Sequence, residues 1–197
     1  MTIHTFGDSH STYGWPEDMV VSHQIGPLLC YTFGKKRDAI NICNYNLNNG
    51  DTVIFCLGEI DCRCHIHKHI SEDNSHENII NEIVINYLEA IKINVAATNL
   101  DLKVYIFNVV PPVNAIDVGQ NISFPHLGTD EERKKYTLYF NKTLKDAIKE
   151  TSYFFFDVYD NYADEYGYLN KELSDGSVHI GNSLYITQFL FSEGLAH

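Results

Sequence analysis

Five short apolar runs, each followed by a turn signal and most by a helical pattern, constrain this chain more than any other feature. They are Thr2–Phe6, Met19–Ile25, Thr52–Leu57, Lys103–Val110 and Tyr153–Val158. Each is rich in β-branched or aromatic residues, and several are apolar almost throughout, as strands covered on both faces must be. Between them, residues 74–97 carry Ile79, Ile80, Ile83, Val84, Tyr87, Leu88, Ile91 and Val95 on one helical face, with Asn74 and Glu77 placed for a cap. Thr129 and Glu132 have capping-box spacing ahead of Tyr136, Tyr139, Phe140, Leu144, Ala147 and Ile148. A last helix is expected over residues 182–191. Another is expected over residues 35–47, ended by the Asn48-Asn49-Gly50 turn. Strand–helix alternation of this kind predicts a mainly parallel five-stranded sheet with helices on both faces, a three-layer α/β/α domain.

The 197 residues suffice for one domain with a sizeable core, and no internal repeat or Gly/Ser/Pro linker divides them. At 44 % hydrophobic and 13 % aromatic residues the composition is globular. Fourteen Lys and Arg against 26 Asp and Glu give a net charge of −12. Such an excess repels phosphate backbones and anionic membranes, so neither nucleic acid nor membrane is an expected partner. A small-molecule or glycan ester fits it better, and nothing in the sequence specifies an oligomeric state. No apolar run reaches the ~20 residues needed to span a bilayer. The first residues lack the basic and long apolar regions of a signal peptide, so the expected location is cytoplasmic. Of five cysteines, Cys30, Cys43 and Cys56 lie in apolar surroundings and read as reduced core residues.

Ser9, in the stretch FGDSHS (residues 6–11), lies just past the end of the first strand, where ligands and chemistry collect in an open α/β sheet. Gly, Asp and Ser are also ordinary turn residues, and a turn with an N-cap is the competing reading. Far along the chain, DGSVHIG (residues 175–181) offers Asp175 and His179 ahead of the last helix. A serine nucleophile needs a base working near neutral pH, and the imidazole needs a carboxylate to fix its tautomer.

FGDSHS, then LGEID (residues 57–61) and then DGSVHIG resemble, in order and spacing, the SGNH (GDSL-type) hydrolases, over essentially the whole chain. That family comprises esterases, lipases, deacetylases and O-acyltransferases on a flavodoxin-like α/β/α fold. The resemblance implies Ser9 as nucleophile, His179 as base and Asp175 as its orienting acid, with no cofactor. It implies an oxyanion hole built from the Ser9 N–H, a glycine N–H after the second strand and an asparagine side chain after the third. Gly26 fits the glycine role, with Gly34 the alternative. At the asparagine position stands Ile60, in Gly58-Glu59-Ile60-Asp61, where the family reads Gly-x-Asn-Asp. Arg63, just downstream, has suitable donors. A lost donor costs ~3 kcal/mol of transition-state stabilisation. A second departure is the three residues between Asp175 and His179, where the family commonly has two.

Asp8, Asp61, Asn114 and His126 are assigned to substrate contact, the last two because the loop after Pro111-Pro112 borders the strand ends. Phe124 belongs to the same loop. Tyrosines in residues 159–170 could stack on sugar rings. The cluster CRCHIHKH (residues 62–69) raises zinc, but Cys62 and Cys64 are too close for a finger-type clamp and no second pair follows. No metal is expected. The preferred substrate is a short acyl ester, an acetyl group on a carbohydrate. The alternatives are an O-acyltransferase of the same fold, a non-catalytic carbohydrate-binding module, and a metal-dependent enzyme built on residues 62–69.

Overall fold

The computed structural model describes residues 1–119 and 121–196. Strands β1 (Ile3–Gly7), β2 (Val20–Gln24), β3 (Thr52–Cys56), β4 (Lys103–Phe107) and β5 (Phe154–Phe156) form a single sheet in the order β2-β1-β3-β4-β5. Every pair is parallel, with Ile3 opposite Val20 on one side and Thr52 on the other. The helices are α1 (Cys30–Lys35), α2 (Ile66–His69), α3 (His76–Thr98), α4 (Asp130–Ala147), α5 (Tyr159–Tyr162) and α6 (Leu184–Ser192).

Successive side chains of a strand point to opposite faces, and the two halves of the core follow that alternation. Val53 and Phe55 of β3, with Val104 and Ile106 of β4, pack against Ile80, Val84 and Tyr87 of α3 and Phe140 of α4. Ile54, Cys56, Tyr105 and Phe107 face the other way, against Trp15, Tyr162 and Ile186 and Leu190 of α6. A sheet covered on both faces needs strands that are apolar throughout, and this is why they are conspicuous in the sequence. Strand order reverses between β1 and β3, so the crevice at their carboxyl ends is the expected ligand site of such a sheet.

Several expected boundaries shift for identifiable reasons. The strand expected to continue to Val110 stops at Phe107, because Asn108 turns its side-chain Oδ1 to accept the Val158 N–H at 2.8 Å. The same bond closes β5 early. The helix expected over residues 35–47 is absent. There, α1 ends at Lys35, and only a 3-10 turn follows at Ile42–Asn44. Asn94, buried on α3, accepts the Ile42 N–H at 3.2 Å and donates to the Arg37 carbonyl at 2.7 Å, fixing that backbone as an irregular segment. Cys43, expected in the core, is exposed there, since Ile42 takes the inward position. Ser75 rather than Asn74 caps α3, its Oγ accepting the Asn78 N–H. The capping box of Thr129 and Glu132 forms as its spacing predicts.

Candidate active site

The chain leaves β1 through a tight 3-10 turn, Ser9–Ser11, whose N-cap is Asp8. That turn lifts Ser9 to the carboxyl end of the sheet, at the β1/β3 crevice. The second half of the site comes from the loop before α6. His179 Nε2 lies 2.8 Å from Ser9 Oγ, and His179 Nδ1 lies 2.8 Å from Asp175 Oδ2. A carboxylate only accepts, so Nδ1 carries the hydrogen and Nε2 is left to accept from the Ser9 hydroxyl. Asp175 Oδ1 in turn accepts the Ser177 N–H at 2.8 Å. The extra residue between Asp175 and His179 is absorbed by Gly176, whose φ of +86° is a left-handed turn that a side chain would resist. Burial, and next to it the neighbouring His10, hold the His179 imidazole below its ordinary pKa, while Asp175 opposes both. Tyr13 stacks on the same imidazole, ring centroids 4.3 Å apart.

Over Ser9 and His179 opens a cleft of about 500 Å³, bordered by Gln24, Pro27, Ile60, Arg63 and Phe124. No protein-family model and no curated protein sequence matches the chain. Solved structures do. A GDSL-like lipase from Bacteroides thetaiotaomicron superposes with a TM-score of 0.62 at 14 % identity, covering 98 % of this chain and 86 % of the other. A candidate platelet activating factor from Streptococcus pneumonia gives 0.66 at 20 % identity, with 98 % and 83 % covered. Phospholipase A1 from Streptomyces albidoflavus gives 0.53 at 12 % identity, with 97 % and 98 % covered. The fold is that of the SGNH hydrolases.

Gly26, expected at the oxyanion hole, sits in a turn at φ +114°, between Gln24 and Pro27 of the cleft wall. Gly34, the alternative, is instead packed in α1 against Asn86 of α3, where a Cβ would fall 2.8 Å from the Asn86 Cβ. Ile60 does border the cleft, and after it the chain forms a π-helical turn, Asp61–His65. Turns of this type recur at functional sites because the extra residue re-aims a side chain. Here Arg63 is brought to the cleft while its Nη2 stays 3.1 Å from Glu59 Oε2.

None of the four residues expected to touch substrate is among those that line the cleft. Asp8 is fully buried, with Oδ1 accepting from the His10 backbone N–H at 2.8 Å and paired with His10 Nδ1 at 3.0 Å. Asp61 is also fully buried and accepts the Cys30 and Tyr31 N–H groups at 2.6 and 3.0 Å, capping α1 from another element. Burial pushes its carboxyl up to about 7, against the pull of those two bonds. Asn114 is half-buried at the start of the 3-10 turn Ala115–Asp117. His126 lines a small inner cavity with Glu59, Arg63 and Arg133, and burial with both arginines lowers its pKa to about 4. The structural role of Asp61 predicts that Asp61→Ala lowers unfolding free energy by ~1–3 kcal/mol, as in the loss of a buried cap. Urea unfolding measures this, and a folded variant should keep the wild-type KM, which a substrate contact would not.

The tyrosine-rich stretch is mostly interior. Tyr159, Tyr162 and Tyr168 are buried, and Tyr162 Oη accepts the Tyr185 and Ile186 N–H groups in the first turn of α6. The metal-type side chains of residues 62–69 do not gather at one point, although His65 and His69 pack ring to ring at 4.4 Å. Cys62 is buried, His67 Nδ1 meets Tyr136 Oη at 3.1 Å, and His65 packs on Tyr31. Among the described residues no three His, Cys, Asp or Glu side chains converge on a point. His10 and Tyr13 were not anticipated at the site. A second histidine directly after Ser9 was the available signal for the first, and nothing in the sequence marks the second.

Proposed function

We propose that this protein is a serine ester hydrolase working through an acyl-enzyme, with Ser9 as nucleophile, His179 as general base and Asp175 as the orienting acid. The supporting observation is the unbroken chain of hydrogen bonds from Ser9 Oγ through His179, both lining the cleft, to Asp175. As Ser9 Oγ attacks an ester carbonyl, its proton passes to His179 Nε2, and Asp175 stabilises the imidazolium that forms. Collapse of the tetrahedral intermediate breaks the ester C–O bond, and the leaving alkoxide takes the proton from His179. A water then repeats the sequence on the acyl-enzyme, releasing the carboxylic acid and restoring Ser9. The developing oxyanion is met by the Ser9 and Gly26 N–H groups and by Arg63.

The preferred substrate is a short acyl ester of a carbohydrate, an acetyl group first. Gln24, Asn121 and Ser177 mix with Phe124 and Pro27 around the cleft. Such a lining offers hydrogen bonds and a stacking face to a polyhydroxylated acceptor, and little continuous apolar surface to a long alkyl chain. Labelling intact protein with a fluorophosphonate tests the reading. The expected result is one adduct, mapped by mass spectrometry to Ser9, with parallel loss of p-nitrophenyl acetate hydrolysis. Folded protein that takes no label, or takes it on another residue with activity retained, would falsify the proposal.

A further inference from the structure

His10 follows the nucleophile in sequence, and the steps above do not use it. Its side chain is buried, with Nδ1 3.0 Å from Asp8 Oδ1 and Nε2 3.2 Å from the Val178 carbonyl oxygen. Both partners can only accept. A neutral imidazole donates from one nitrogen and leaves the other facing an acceptor lone pair, whereas an imidazolium satisfies both. Val178 directly precedes His179, so this contact ties the base-bearing loop to the turn that carries Ser9. The rings of His10 and His179 are 4.9 Å apart, centroid to centroid.

We propose that His10 is a positioning residue for the base. As a buried imidazolium bridging Asp8 and the Val178 carbonyl, it fixes the 175–179 loop on the Ser9 turn and keeps a positive charge against His179. That charge disfavours a second proton on His179 and so preserves its neutral, proton-accepting form. The proposal rests on the reading of His179 as general base.

The surroundings of both rings support this charge state. His10 faces Asp8 on its own turn, Glu59 and Cys56 from the end of β3 and beyond, and the Val178 carbonyl. Burial alone would lower its pKa, yet Asp8, Glu59 and the carbonyl together raise it to about 9. His179 faces Ser9, Tyr13, His10 and Asp175, with Asp8 behind His10. Asp175 and Asp8 favour the imidazolium of His179, and His10 is the contacting group that opposes them.

His10→Gln separates tether from charge, since an amide N–H can still donate to the Val178 carbonyl. Side-chain ¹⁵N NMR titration of both histidines provides a readout that needs no turnover. In the wild type, His10 is expected to carry both ring hydrogens through pH 7. In His10→Gln, the His179 midpoint should rise by about one pH unit, the scale of a unit charge ~5 Å away in a partly screened site. The acid limb of kcat/KM should move up by the same amount, which a merely structural role for His10 would not produce. An unchanged His179 midpoint in the folded variant overturns the proposal. So does a wild-type His10 that is neutral at pH 7, a result that decides even where the variant fails to fold. A shifted midpoint in a protein that hydrolyses no ester keeps the coupling and removes the esterase reading instead.

Discussion

Replacing Ser9 by alanine is expected to lower turnover of p-nitrophenyl acetate by about four to six orders of magnitude, the range found when a triad nucleophile is removed. Ser11, the nearest serine in sequence, is not placed to substitute, because it is buried and donates to the Asp8 carbonyl at 2.8 Å. Residual catalysis over the uncatalysed reaction is expected from binding and the oxyanion donors alone. Fold and stability should be unaffected. The Ser9 hydroxyl bonds His179, which is itself anchored by Asp175, so its loss strands no buried group. Steady-state kinetics with thermal unfolding as control make the comparison, and a folded Ser9→Ala protein keeping a tenth of wild-type kcat would remove Ser9 as nucleophile.

The sheet was legible because its physics is local. A strand covered on both faces must be apolar at every position, and a helix packed on such a sheet must repeat near 3.6 residues, so β3, β4, α3 and α4 declare themselves. What was not legible depends on single polar side chains reaching across the chain. Nothing near residues 35–47 announces that Asn94, on α3, will hold that backbone out of a helix. The Asp61 carboxylate looks like a site residue by its place after β3, yet its partners are the N–H groups of Cys30 and Tyr31, thirty positions back. The site divides in the same way. The positions of Ser9 after the first strand and of His179 before the last helix are read from the sequence, but their pairing follows only from the resemblance to the SGNH hydrolases. The long Asp175–His179 spacing needed the turn at Gly176 before its geometry could be understood.

Arg63→Ala should lower kcat by roughly two orders of magnitude with little change in KM. Ile60 occupies the place where an SGNH hydrolase is expected to supply a side-chain donor, and the π-helical turn directly after it carries Arg63 into the wall of the Ser9 cleft. Charge accumulates on the carbonyl oxygen only as the tetrahedral intermediate forms, so a guanidinium aimed there favours the transition state over the bound ester. Arg63→Lys should recover only part of the rate, because an ammonium lacks the planar fork of donors. A second effect must be separated from this one. Arg63 is buried and ion-paired with Glu59, and removing one partner of a buried pair can cost ~3–5 kcal/mol by stranding the other charge. Burial already raises the Glu59 pKa with Arg63 present, so in the variant that carboxyl is poised to take up a proton. The double variant Arg63→Ala with Glu59→Gln removes the stranded charge, and urea unfolding should show stability regained. If Arg63 serves the oxyanion, kcat in that double variant stays low. If it serves only the fold, kcat returns along with stability. Near-normal kcat in either folded variant would leave the Ser9 and Gly26 N–H groups as the oxyanion donors.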